Sequence, residues 1–548
     1  MKQILYLLLG CLIPFQFLTA KMYSSPERTP VDYVNPYIGN ISHLLVPTYP
    51  TVHLPNSMLR VYPERENFTG NTINGLPLIV TSHRGSSAFN LSPYQGELQK
   101  AGSIIQYGYD NEVIKPYYYS VDLDDDGMYV QYAPSHQSGI YQIDFSQTDK
   151  PAYLIFNTRD GELKTDGKSI SGYQKLGNHT QVYIYLETDQ QPLKIGTHQG
   201  AVIRTTDKST QGHNAYYILE YPKGTASVLL RYGVSFISSE QAKQNLRREI
   251  KNYNLQAGAD KGRSVWNETL GKIFVKGGTE NEKTVFYTSL YRTYERMICI
   301  SEDGRYFSAY DGQVHDDEGI PFYVDDWIWD TYRATHPLRL IIETEMESNM
   351  VNSLIRMAYQ MQPNWMPTFP EINGDSRRMN CNHGVATVLD AYNKGMRSFD
   401  LAKAYQVCKA AITEKTLAPW SSKPAGVLDQ FYKDHGYFPA LAVGEQETVP
   451  EVHSWERRQP AAVTLGTVYD EWCLGNIAQA LGDKKEADYF LKRSLNYHKI
   501  FNKETCFFHP KDSFGNFIQP FDYRYSSGVG GRDAYDENNG WVYRWDLP

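Results

Sequence analysis

Cysteine is scarce in this chain of 548 residues: Cys11, Cys299, Cys381, Cys408, Cys473 and Cys506, with no Cys-x-x-Cys pair. Once Cys11 is set aside with the amino-terminal segment, the odd, scattered remainder makes neither a disulfide framework nor a zinc site, and buried free thiols are expected. A basic excess is also lacking. Lysine and arginine number 54 against 62 acidic residues, a formal charge of −8, which argues against nucleic acid as a partner because phosphate binding needs clustered cations. Long apolar runs are missing too, apart from Ile4–Ala20. That segment follows Lys2 and ends at Lys21, the charged, apolar, small-residue order of a secretory signal peptide cleaved after Ala20. No later stretch has the apolar length of a transmembrane helix. Leu8-Leu9-Gly10-Cys11 is a poor lipoprotein box because more apolar residues follow Cys11. There is no Gly-x-Ser-x-Gly elbow, no Gly-Lys-Ser/Thr phosphate loop and no His-Glu-x-x-His.

Aromatics, in contrast, are abundant: 14% of residues, with 43 Tyr and 9 Trp. Such rings pack large cores, and they also suit sugars, whose CH faces stack on them while hydroxyls seek polar groups. The length asks for two domains or more. From Val31 to about Ile237 the pattern is β. Tyr141–Phe145 and Gln181–Leu186 alternate with period two, and turns are expected at Asp126-Gly127, Asp160-Gly161, Asp166-Gly167 and Lys223-Gly224. Asp122–Gly127 resembles half a calcium loop, but Ala133 stands at the twelfth position, so a solvated hairpin turn is the better reading. Ser238-Ser239-Glu240-Gln241 is a capping-box signature opening a helix to about Tyr253. Beyond Asn281 the period is helical almost throughout, with apolar stripes at Met350–Met361, Val385–Met396, Leu401–Ile412 and Cys473–Leu481. The expected organisation is a signal peptide at 1–20, an N-terminal β-sandwich at 21–237, a helical linker at 238–280, and paired helices of an α/α toroid at 281–548.

Two loops could carry chemistry. In Asp325-Asp326-Trp327-Ile328-Trp329-Asp330 a carboxylate could accept hydrogen bonds from neighbouring sugar hydroxyls while an indole covers the ring, or Asp330 could simply sit at a helix N-terminus. In Asp533–Trp545, Glu537 lies among Trp541, Tyr543 and Trp545, where desolvation would raise its pKa towards that of a general acid; a surface acidic loop is the alternative. His43 and His53 lie in a Pro-rich loop without metal-ligand spacing.

The chain resembles glycoside hydrolase family 92, the calcium-dependent exo-acting α-mannosidases. The resemblance rests on Val34-Asn35-Pro36-Tyr37-Ile38-Gly39, Trp329–Pro337, Asp390–Gly395, Tyr469–Cys473, Tyr489–Ser494, Pro520-Phe521-Asp522 and Glu537-x-Asn539-x-Trp541-x-Tyr543-x-Trp545, in the family's order. It implies a β-sandwich followed by an (α/α)6 barrel with the site between them. It also implies an inverting displacement with Glu537 as general acid, and Trp329 and Asp330 on the terminal mannose. Further implications are a Ca2+ ion and a mannose-containing glycan as partner, with α-1,2 linkages as the default. The signal segment with so few cysteines points instead to export to a bacterial periplasm or outer surface, and a monomer is the default expectation, the sequence leaving the oligomeric state open. Three departures stand out: Asn40–Pro47 replaces a Gly-rich segment, Val542 stands where the family commonly has Gln, and the chain stops at Pro548. About seven helices and the start of an eighth can be counted after Asn281 where a closed toroid has twelve, so a barrel incomplete at its C-terminus is expected, with calcium ligands and the catalytic base beyond Pro548 and this polypeptide inactive or poorly soluble. A non-catalytic sugar-binding relic and a glycoside phosphorylase of similar architecture are the competing readings.

Overall fold

The strands of the N-terminal half follow from the alternation in their sequences. Residues 28–41, 48–65, 69–81, 87–123, 127–524 and 534–535 are described by a computed structural model. The signal-like segment 1–20, His43, Asp124–Asp126 and Glu537 fall outside them. Thr180–Thr188 and Ser138–Asp144 bury every second side chain over the stretches singled out from sequence, and both pair with Ser227–Ser235 in the middle of a 14-stranded antiparallel ladder. On one side the ladder runs through Met128–Pro134, Tyr118–Leu123 and Gln106–Lys115. On the other it runs through Ser169–Gly177, Ala152–Thr165, Ser209–Tyr221 and Lys194–Gln199.

Ala152–Thr165 makes the layers. Residues 153–158 pair with Phe89–Tyr94, whereas residues 161–165 pair with Ser169–Gly177. The Asp160-Gly161 turn expected from sequence is thus corrected: both residues lie inside this strand. The glycine is there for contact, since a Cβ at Gly161 would stand 1.8 Å from the Tyr173 carbonyl oxygen of the neighbouring strand. Asp166-Gly167 and Lys223-Gly224 are turns, with φ +89° and +80° at their glycines. Tyrosines tie the layers together. Tyr107 donates to Pro93 O at 2.6 Å, Tyr141 to Pro77 O at 2.6 Å and Tyr232 to Leu78 O at 2.7 Å, each reaching strands that are not its ladder neighbours. A buried hydroxyl needs such a partner, and part of the tyrosine excess is spent here on core packing.

The ladder ends at Ser235, and Ser238 caps α1 (Ser239–Glu249) by accepting from Gln241 N. α2 (Leu255–Leu270) and α3 (Glu280–Thr293) follow. Trp266 of α2 donates to His53 O at 2.8 Å, and Tyr291 of α3 donates to Thr51 O at 2.6 Å, so the first helices clasp the chain that enters the sheet. His53 is a core residue: burial lowers its pKa to about 4, and Nδ1 faces Leu54 O.

Past Asn281 helices joined by long loops rich in Trp, Asp and His were expected, and only the short strands among them need correction. Short antiparallel ribbons occupy part of residues 298–324, and long connections span 361–383, 414–426 and 436–459. The helices themselves are α4 (Ile328–Thr331), α5 (Thr335–Ile342), α6 (Thr344–Gln360), α7 (Gly384–Asn393), α8 (Leu401–Thr413), α9 (Val427–His435), α10 (Pro460–Ala480) and α11 (Lys484–Arg493). Eight of those from α3 onward have eight or more residues, one more complete helix than the sequence count. Met350, Val351, Leu354, Met357 and Ala358 of α6 are buried as their spacing predicts. α10 is buried nearly all round, which marks it as the centre against which α7, α8 and α11 pack. The five cysteines among the described residues are free thiols, and Cys506 departs from expectation by being exposed. No helix of the described residues is long and apolar enough to cross a membrane.

Candidate active site

The acidic–aromatic loop between the ribbon strand Tyr323–Val324 and α5 is held by buried ions. Asp325, at φ +67°, places its carboxylate 2.7 Å from Arg60 of the sheet domain and 2.9 Å from Arg296. Burial works against the Arg60 charge, and the Asp325 and Glu295 carboxylates together more than offset it. Next to it, Asp326 Oδ2 meets His336 Nε2 at 2.8 Å, and His336 Nδ1 meets Glu347 Oε1 at 2.7 Å, with all three side chains at most 1% exposed. Burial alone would depress the imidazole pKa. Glu347 and Asp326 overcome that and hold it up to about 10, so the ring is an imidazolium between two carboxylates. Thr331 donates its hydroxyl hydrogen to Asp326 Oδ1 at 2.8 Å, closing the short turn of α4 onto the same anchor.

This framework determines where the candidate sugar contacts sit. Trp327 is committed inward, stacked 5.6 Å from Phe369 with the Arg296 guanidinium 3.8 Å from its ring. Trp329 is half-buried, and its indole N–H points to Asn380 Oδ1 at 3.4 Å. Asp330 is exposed one residue on. An exposed carboxylate beside a half-buried indole can accept two sugar hydroxyls and cover the ring's CH face. Asp330 does lie in the first turn of α4, but a single turn has little dipole to satisfy.

Asn380 belongs to a segment whose importance the sequence did not signal. Arg377, Met379 and Cys381 adopt left-handed φ of +50°, +67° and +70°, which non-glycine residues tolerate only when the surroundings compel it. Asn380 donates to Gln459 Oε1 at 2.7 Å, and Gln459 donates to Glu456 Oε2 at 2.9 Å, linking Trp329 to the start of α10. Beside it, His383 Nδ1 meets Asp470 Oδ1 of α10 at 2.8 Å, and the Tyr332 ring lies 4.3 Å from the His383 ring. Neither Asn380 nor the Asp326–His336–Glu347 clamp has a spacing that reveals it; only the runs of Asp, Asn and His around them hinted at density.

Two cavities flank this framework. One of about 150 Å3 lies between the sheet and helical parts, lined by Thr81, Leu176, Asp325, Glu371, Asn373 and Arg378. Burial, with Asp325 nearby, raises the Glu371 pKa. The other, about 670 Å3, is lined by the 440–458 connection and by Phe521, Asp522 and Tyr535, the last standing two residues before Glu537 in sequence. Trp329 and Asp330 line neither cavity, and the structure does not describe Glu537, so the two groups of predicted site residues are not seen together. Among the described residues no group of three or more His, Cys, Asp and Glu side chains could hold a metal ion. Asp325, Asp326, Glu347 and Asp470 all face cationic or histidine partners, so these four are not the ligands of the calcium implied by resemblance.

A layered antiparallel sheet leading into packed helices, with an exposed carboxylate and a half-buried indole on the loop before α5, is an arrangement suited to holding a sugar ring. The particular family follows from direct comparison. Residues 241–548 match the glycosyl hydrolase family 92 catalytic domain and residues 33–235 its N-terminal domain, and the chain belongs to that family of glycosidases. A family GH92 inverting mannosidase from Bacteroides thetaiotaomicron superposes with a TM-score of 0.82 at 25% identity, covering 96% of this chain and 71% of that one. A GH92 alpha-mannosidase from the same organism superposes at 0.81 with 22% identity, covering 95% and 71%. An uncharacterized secreted glycosidase of Arthroderma benhamiae is 22% identical over 95% of this chain and 68% of its own length.

Proposed function

We propose that this glycosidase is an inverting, exo-acting α-mannosidase that releases terminal mannose from glycans, with α-1,2 linkages as the first substrate to test. The observation that carries the reading is the pinned loop: Trp329 and Asp330 are presented from a turn anchored by Asp325 to two arginines and by Asp326 to His336. A rigid turn holding one indole and one exposed carboxylate suits a single terminal ring. The inverting mannosidase relative supports the choice of sugar and stereochemistry. Glycosidic oxygen leaves poorly as an alkoxide, so a carboxylic acid must protonate it while a second carboxylate activates water on the opposite face. We assign the acid to Glu537, outside the described residues. Calcium dependence belongs to the same reading although no described residues supply its ligands, and mannose release with and without a chelator tests it. Export to a bacterial envelope is supported by the Lys2–Ala20 segment and by the secreted relative.

Glu537→Gln keeps shape and hydrogen bonding but removes the proton. In a full-length version that carries the base and calcium ligands, turnover of α-linked mannobiose is expected to fall by at least about a hundredfold. The fall with an activated aryl mannoside, whose leaving group needs little protonation, should be much smaller. Equal losses on the two substrates remove Glu537 from the acid role.

A further inference from the structure

The connection between α8 and α9 is a small hairpin. Thr416 N donates to Lys423 O at 3.0 Å, Lys415 bridges Pro424, and Trp420 stands at the tip. Trp420 has φ +58°, a conformation that is an outlier for a bulky side chain, yet it leaves 37% of the residue exposed. An indole turned towards solvent by a strained backbone satisfies neither packing nor conformational preference, and such strain gathers at ligand sites. Its surroundings are polar and concave. The Arg378 guanidinium lies 5.7 Å from the ring centroid, and the His453 ring lies 5.5 Å away, tilted by 44°. On one side Trp420 shares a narrow cleft with Asn380, which receives the Trp329 N–H; on the other, His453 lines the 670 Å3 cavity.

We infer that Trp420 is the stacking platform for the sugar ring next to the terminal one, with Arg378 and His453 meeting its hydroxyls. This rests on the mannosidase reading, because an exo-acting enzyme holds one ring before the scissile bond, so a second ring belongs to the leaving glycan. The chemistry on both sides is matched. A pyranose offers a CH face to the indole and equatorial or axial hydroxyls to a guanidinium and an imidazole. A protein partner would want a flat apolar patch, whereas Trp420 is a single ring flanked by a guanidinium and an imidazole beside a cavity roomy enough for more than one sugar.

The test compares Trp420→Ala and Trp420→Phe with the unaltered full chain, by calorimetric titration with mannose and with α-linked mannobiose and by steady-state kinetics on mannobiose and an aryl mannoside. Trp420→Ala is expected to lose roughly tenfold in mannobiose affinity and to raise its KM by a similar factor, while mannose affinity changes less than about twofold; Trp420→Phe should recover most of the loss. Equal weakening of mannose and mannobiose, or no weakening of either, overturns the platform. Titration with gluco- and galacto-disaccharides separates the two levels. If the unaltered chain ignores mannosides but binds another disaccharide in a Trp420-dependent way, the platform stands and the mannose assignment falls. Mannoside cleavage that is indifferent to Trp420 leaves the enzyme reading intact and removes the platform, and a chain that binds no saccharide removes both.

Discussion

Between the sheet layers, Tyr107, Tyr141 and Tyr232 each hand a hydrogen bond to a backbone carbonyl of the other layer, whereas under the Trp327–Tyr332 loop the hidden polar groups are ions: Asp325 between Arg60 and Arg296, and His336 between Asp326 and Glu347. The two solutions differ in what they cost and what they specify. Burial pushes the hydroxyl pKa of Tyr141 and Tyr232 well above its ordinary value, so these two groups stay neutral. Ions out of water must be paired with good geometry, which is expensive but leaves the loop only one way to sit. The sheet also holds buried ion pairs, Arg65–Glu112 and Arg231–Glu187, but its layers are tied by neutral hydroxyls, whereas the loop is tied by ions.

Three experiments press on that contrast. The largest effect is expected from His336→Ala, which leaves two buried carboxylates facing each other without their cation. Urea unfolding should register a loss of about 3–5 kcal/mol. If the variant unfolds within 1 kcal/mol of the unaltered chain, as judged by the same assay, the clamp contributes no specificity.

Alkaline pH should separate the regions next. The His336 pKa is raised from 6.5 to about 10, so its contribution to stability is complete below pH 6.5 and disappears as pH climbs through about 10. The groups facing it are Asp326, Glu347 and Arg339, with Tyr310 beyond Asp326. Thermal unfolding followed across that range should lose its steepest alkaline decline in His336→Gln. Persistence of the same decline in the variant assigns it to other groups.

The smallest change is Tyr232→Phe. It removes the hydroxyl that bridges Leu78 O and Tyr132, and about 1 kcal/mol of stability is expected to go, with no altered pH profile. A loss as large as that of His336→Ala would erase the distinction between scaffold and clamp.

Much of the architecture could be read from local pattern. Period-two alternation located Thr180–Thr188 and Ser138–Asp144, Ser238 announced the cap of α1, and the Met350–Ala358 stripe announced α6, because each depends on neighbours within a few residues. The ordered motifs from Val34 to Trp545 were enough to place the chain in its family. Local reading failed where a residue answers to a distant strand. Asp160-Gly161 has the composition of a turn, yet the glycine is required by the Tyr173 carbonyl of the adjoining strand. The short ribbons within residues 298–324 were not legible, because apolar residues that pack into ribbons mimic the helical period over short windows.

The sequence by itself determined the scaffold: which segments alternate, where caps and turns fall, and which loop concentrates Trp and Asp. Only the tertiary structure decided which of those acids are buried and which is exposed. Asp325 is bound by Arg60 from 265 positions away and by Arg296, Asp326 is locked to a histidine, and Asp330 alone of the three is exposed. The reason is electrostatic. A carboxylate's role depends on the charges within a few ångströms and on its access to water, and both are properties of the folded chain rather than of spacing along it.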